Sequence, residues 1–209
     1  MLVRDCMTHK LITIRPESDP MAAISLLNAG KFRHLPVIEK DGSLVGIVDR
    51  ADLELFLATA GSPGYIKRNH RVEQLMTRNV ITVTPDCPLE EAASLMVQHK
   101  IGSLAVLEAG KLVGIITETD IFKRFAAILG GGSESLRLTV QLADKPGQLA
   151  ELAGRIARVN GNIISAVASP AEQPGRMNFT LRVEGVDLSS LLAAVEDQPE
   201  LVILHNASC

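Results

Sequence analysis

Two segments carry residue types that could do chemistry: Gly114-Ile115-Ile116-Thr117-Glu118-Thr119-Asp120 and Gly46-Ile47-Val48-Asp49-Arg50-Ala51-Asp52. In each, an apolar run reads as a buried strand that ends on a polar residue, and an acid three positions on falls in the first turn of a helix. One reading needs no ligand. Thr117 with Asp120 is a capping box, and a carboxylate suits the positive end of a helix. The other reading is recognition. A carboxylate fixed at a helix start accepts hydrogen bonds from two vicinal ribose hydroxyls, while a neighbouring hydroxyl and exposed N–H groups donate to phosphate. Capping alone does not explain why both segments carry the acid at the same strand end. Arg33-His34, with no ligand, reads as a solvated strand edge. Asp144-Lys145-Pro146-Gly147-Gln148-Leu149 suits the opening of a helix with no ligand at all.

The elements that position these residues come from a repeat. Met7-Thr8 is echoed by Met76-Thr77, Thr13-Ile14 by Thr82-Val83 and Pro16 by Pro85, each 69 residues apart. Gly46 and Gly114 are then 68 apart, and the lost residue lies in the turn where EKDGS becomes EAGK. Deletions belong in turns, so one fold is used twice. Each copy reads as strand, helix, strand, tight turn, strand, helix. Leu89, Ala92, Ala93 and Met96 form an apolar stripe in the second copy, as Ala23, Ile24 and Leu27 do in the first. Asp41-Gly42 between LPVI and LVGIV is a hairpin signal. The expected boundaries are 1–60 and 72–129 for the two repeats, with GSPG and the basic KRNHR stretch, 61–71, as a linker. Gly130-Gly131-Gly132-Ser133 marks a second joint, 130–135.

From 136 to 209 the pattern changes to β-α-β-β-α-β. LRLTVQL and MNFTLRV alternate as strands, NIISAV and LVIL are further strands, and Leu149, Leu152, Ala153, Ile156 and Leu188, Leu191, Leu192, Val195 stripe two helices. Two helices on one face of an antiparallel sheet give a ferredoxin-like unit, so the fold class is α+β.

The doubled pattern of M-T, T-h-x-P, RHLPV and G-h-h-(T/S)-x-x-D, with h apolar, resembles the CBS domain pair over roughly residues 1–128. That resemblance implies two βαββα repeats packed through their sheets, with clefts for adenosine compounds such as AMP, ADP, ATP or S-adenosylmethionine. It assigns ribose to Asp120 and Asp52, ribose or phosphate to Thr117, the base to the backbone at Ile12-Thr13 and Ile81-Thr82, and phosphate to Arg33 and His34 of the RHLPV strand that also holds Pro36. Two departures matter. Asp49 stands where the family prefers Thr or Ser, and a second carboxylate repels phosphate, which favours an uncharged or cationic adenosine derivative or an empty cleft. GSLAV replaces RHLPV in the second copy, with Ser103 and Ala105 where Arg33 and Pro36 are expected.

The motif D-x-P-G-x-L, with Asn160-Gly161-Asn162-Ile163 opening the next strand, resembles the ACT domain, a regulatory fold that dimerises and often binds amino acids between paired copies. By resemblance Asp144, Gly147, Leu149, Asn162 and Ile163 would line such a site. The order CBS, CBS, ACT resembles the bacterial acetoin-utilisation regulatory proteins, which implies a role in acetoin breakdown; both domain types commonly pair with themselves, which implies a homodimer, acting on a regulated partner protein.

Composition narrows the classes. With 21 Lys+Arg against 24 Asp+Glu and 3% aromatic residues, the chain has neither the basic field nor the stacking platforms of a nucleic-acid binder. No apolar run approaches a membrane span, and the N-terminus lacks the apolar core of a secretory signal, so a cytoplasmic protein with no membrane partner is expected. Cys6, Cys87 and Cys209 read as ordinary thiols. No G-x-S-x-G, P-loop or H-E-x-x-H motif occurs, and the five histidines share no ligand spacing. The expectation is a non-enzymatic sensor with no catalytic cofactor and no metal. A ligand-free dimerisation scaffold is the alternative.

Overall fold

A computed structural model describes residues 1–132 and 134–208. Ser133 of the expected joint and Cys209, read as an ordinary thiol, lie outside the described residues. The chain divides into two compact units, Met1–Phe122 and Lys123–Cys209.

In the first unit, a 3₁₀ turn at Val3–Asp5 precedes α1 (Pro20–Gly30), β1 (His34–Ile38), β2 (Leu44–Asp49) and α2 (Arg50–Thr59). Next come α3 (Pro63–Asn69), a second 3₁₀ turn at Val72–Gln74, β3 (Thr82–Val83), α4 (Leu89–His99), β4 (Ser103–Glu108), β5 (Lys111–Thr117) and α5 (Glu118–Ile128). The last turns of α5 fall in the second unit. Asp19 starts α1 by accepting from the Ala22 N–H at 3.0 Å, Pro20 takes the first helical position, and Ala23 and Leu27 are fully buried. The expected leading strand is short in both copies: a single parallel bridge between Ile14 and Val37 in the first, and the two residues of β3 in the second. Pro16 and Pro85, two residues on, have no N–H with which to extend the ladder. The segment expected as linker holds α3, because Ser62 caps it, Pro63 opens it and Ile66 is buried beneath it.

The two repeats exchange their leading segments. Thr8 and Ile115 trade backbone hydrogen bonds at 2.9 and 3.2 Å, and Thr77 and Ile47 do the same at 2.9 and 3.0 Å. The 3₁₀ turns follow this symmetry: Val3 and Arg4 donate to Cys87 and Pro85 carbonyls, as Val72 and Glu73 donate to Ser18 and Pro16. Side chains repeat the exchange. The Met7 sulfur lies against Gly114 and the Met76 sulfur against Gly46, so close that a Cβ on either glycine would collide with it. Val72 and Met76 complete a core otherwise built from the first repeat, including Ala23, Leu27, Leu35, Val37, Val48 and Leu53.

In the second unit, β6 (Leu136–Ala143), α6 (Gln148–Arg158), β7 (Asn162–Pro170), β8 (Arg176–Glu184), α7 (Leu188–Glu196) and β9 (Val202–Ser208) follow in order. The sheet order is β7-β8-β6-β9, the ferredoxin-like arrangement. Leu138, Val140, Leu142, Leu181 and Val183 face Leu152, Ile156, Leu191 and Val195 in one core. Leu149, expected in the helix stripe, is instead 41% exposed in the first turn of α6.

Candidate functional site

The exchange of leading segments decides which residues can meet. It brings the chain after Thr77 alongside β2, so that the acid at the start of α2 in the first repeat shares a cleft with Val80 and Ile81 of the second. Between them lies a cleft of about 280 Å³, lined by His34, Ile47, Asp49, Asp52, Thr77, Asn79, Val80, Ile81 and Lys100 to Ser103. Small-ligand pockets begin at about 300 Å³, so one nucleoside is the appropriate scale.

Each wall follows from local sequence. Asp49 caps α2 by accepting from the Ala51 N–H at 2.7 Å, and Asp52 lies in the first turn, so both carboxylates belong to the positive end of that helix. Lys100 ends α4 with a left-handed φ of 54°, and Lys31 ends α1 with 53°, where Gly or Asn is the usual choice. Ser103 is buried at 7% exposure and pairs with Thr117, as His34 pairs with Asp49. This register corrects the sequence alignment of the two copies: Ser103 answers His34, and Gly102 answers Arg33.

His34 Nε2 lies 3.1 Å from Asp49 Oδ2. Burial depresses the imidazole below its ordinary pKa of 6.5, more than Asp49 raises it; Arg33 lowers it further and Glu118 raises it. The contact is therefore a hydrogen bond from a neutral ring at pH 7, and the ion-pair distance overstates its charge. Two lining carboxylates against the Lys100 ammonium leave this cleft with one formal negative charge.

Of the expected residues, the cleft gathers His34, Asp52 and Ile81. Thr82 pairs with Ala105 in β3, and Pro36 is buried in β1, where its carbonyl accepts from Ile14. Ile12 and Thr13 lead into the Ile14 bridge. Thr117 and Asp120 form the capping box: Thr117 donates its N–H and Oγ1 to Asp120 Oδ2 at 3.0 and 2.7 Å, and Asp120 N–H donates back at 3.3 Å. Beside them Arg33 Nη2 donates to Thr119 Oγ1 at 3.2 Å. The second motif thus sits next to a guanidinium, whereas the first sits next to an extra carboxylate. The cleft also holds Thr77, Asn79, Lys100 and Ser103, to which the sequence motifs assign no ligand role. The repeated lysines after α1 and α4 were the signal available for Lys100.

In the C-terminal unit the expected residues fall at opposite ends of one sheet. Asn162 opens β7 opposite Glu184, while Asp144 follows the other end of β6, where Ala143 pairs with Arg176. Asn162 Nδ2 donates to Glu184 Oε1 at 2.8 Å, and Gly147 takes φ 90° at the start of α6. One chain therefore does not bring Asn162 to the Asp144–Gly147 loop.

The CBS domain model matches residues 3–58 and 72–127, together more than half of the chain. The chain belongs to the CBS domain family. Residues 131–204 match the TTHA0829-like ACT domain, so a tandem CBS pair is followed by an ACT-like domain. The CBS domain pair of protein MJ0100, solved with 5′-methylthioadenosine and S-adenosyl-L-methionine, is 31% identical. That likeness covers 61% of this chain and 97% of the other at a TM-score of 0.54. CBSX2, a CBS-pair protein from Arabidopsis thaliana solved with AMP, is 32% identical over 61% of this chain and 97% of its own, TM-score 0.53. A Vibrio cholerae structure described as an acetoin utilization protein (AcuB) is 30% identical over 62% of this chain and 93% of its own, TM-score 0.55. Among the described residues, no helix is long and apolar enough to cross a membrane.

Proposed function

We propose that this CBS pair is a non-catalytic sensor of adenosine compounds, with its two clefts tuned to different charge. The observation that carries the proposal is Asp52, in the first turn of α2, lining one nucleoside-sized cleft with Val80 and Ile81 of the other repeat. In this reading Asp52 accepts the ribose hydroxyls, the backbone at Ile81 meets the adenine, and Asp49 repels phosphate. An uncharged or cationic derivative, 5′-methylthioadenosine or S-adenosylmethionine, fits that balance. The Thr117–Asp120 motif with Arg33 beside it suits AMP, ADP or ATP instead. The ligands bound in the MJ0100 and CBSX2 structures support both halves of this reading.

Regulation requires the ligand to bind one packing of the repeats better than another, because equal affinity shifts nothing. The protein acts as a homodimer, which the 70% exposed Leu55 and Phe122 on α2 and α5 support, and it passes the bias to a partner protein. Its setting is the cytoplasm, and its pathway is acetoin breakdown, the pathway being supported by the likeness to the Vibrio cholerae acetoin utilization protein. The ACT-like unit then serves dimerisation, with any amino acid bound between two copies. Calorimetry of the full chain with S-adenosylmethionine, 5′-methylthioadenosine, AMP and ATP tests the proposal. Micromolar binding of at least one is the expected result; silence from all four leaves a ligand-free scaffold.

A further inference from the structure

The face of the C-terminal sheet away from α6 and α7 carries directly opposed polar pairs from β6 and β8: Gln141 with Asn178, Thr139 with Thr180, and Arg137 with Arg182. The first two pairs are satisfied across the strands, amide to amide at 3.2 Å and hydroxyl to hydroxyl at 3.1 Å. The third sets two guanidiniums opposite each other, and like charges in that position destabilise a sheet. Among the described residues, neither arginine has a carboxylate at ion-pair distance. Arg182 Nε donates to the Leu129 carbonyl at 3.3 Å, and Arg137 Nη1 lies 3.1 Å from His205 Nδ1, so both side chains are held in place without a carboxylate.

The two arginines line a recess of about 230 Å³ whose walls include Ser165, Thr180, Val167, Leu129 and Gly131. The neighbouring Gly130 packs on Arg182 with φ 74°, and a Cβ there would stand 2.7 Å from Arg182 Cγ. A repulsive pair kept uncompensated at the wall of a recess departs from what sheet stability alone would select. An anion between the guanidiniums turns that repulsion into two attractions, and the planar fork of arginine matches an oxyanion.

We propose that this recess binds a small organic oxyanion, its carboxylate or phosphate between Arg137 and Arg182 beside the Ser165 and Thr180 hydroxyls, and its short apolar part against Val167 and Leu129. The site is distinct from the Asp144–Gly147 loop and from the CBS clefts.

The test is calorimetry and thermal unfolding of the full chain with inorganic phosphate and with isobutyrate, at constant ionic strength. Binding and a raised Tm with phosphate alone identify a phosphorylated ligand, with isobutyrate alone a carboxylate, and either supports the site. Arg137→Gln should weaken that binding about tenfold or more, and Arg182→Lys, which keeps the charge and loses the fork, should weaken it several-fold. Both variants should keep a cooperative unfolding transition. The proposal is overturned if neither probe binds the wild type, or if Arg137→Gln and Arg182→Lys bind as tightly as it does.

Discussion

His34 donates to Asp49 from across the β1–β2 ladder, Nε2 to Oδ2 at 3.1 Å, and so ties the RHLPV strand of the first repeat to the cap of α2. Burial holds the ring below its ordinary pKa of 6.5, which sets a direction for pH. A histidine depressed in the fold contributes stability that is complete above 6.5 and is lost as pH falls through the folded value, because the unfolded chain takes up the proton first. The unfolding midpoint of the wild type should therefore fall more steeply than that of His34→Gln as pH drops below 6.5. Equal slopes in urea titrations across that range would remove His34 from the account.

The packing of Met76 on Gly46 and of Met7 on Gly114 makes each glycine a contact between repeats. Gly46→Ala and Gly114→Ala should each cost about 1–3 kcal/mol by overpacking. Gly154→Ala is the control: it sits on the exposed side of α6 with no atom within 4 Å of the added Cβ. There, alanine should stabilise by about 0.5–1 kcal/mol. Chemical denaturation of the three variants measures the contrast, and similar effects at Gly46 and Gly154 would contradict the exchange of leading segments.

In the proposed reading, Asp49 sets the charge preference of the first cleft. Asp49→Thr restores the hydroxyl found at Thr117 and still caps α2, since threonine is a good N-cap. The substitution should strengthen AMP binding and weaken S-adenosylmethionine binding at that cleft, each several-fold. Unchanged selectivity in competition titrations would mean that the carboxylate does not act on the ligand.

Much of this organisation was legible in the residues. The doubled Met-Thr, the Gly46 and Gly114 strands and the hairpin turns gave the repeat, and alternation in LRLTVQL and MNFTLRV gave the ferredoxin-like sheet. What periodicity could not carry was the exchange itself, because a backbone bridge such as Ile47 to Thr77 leaves no pattern in side-chain type. For that reason Thr77, Asn79 and Lys100 were not placed beside Asp52. α3 was hidden by the breaker residues Ser62 and Pro63, which here start a helix. Asn162 and Asp144 looked like one site in sequence, yet eight residues of β6 separate the ends at which they lie.

The central claim is that Asp52 of one repeat and the Ile81 backbone of the other hold one adenosine compound between them. Calorimetric titration of wild type and Asp52→Asn with S-adenosylmethionine tests it most directly, alongside a circular dichroism check that the fold is intact. The account predicts saturable binding by the wild type and at least about tenfold weaker binding by the variant, because charge-assisted hydrogen bonds to the ribose hydroxyls are lost. Equal affinities for the two proteins would contradict it.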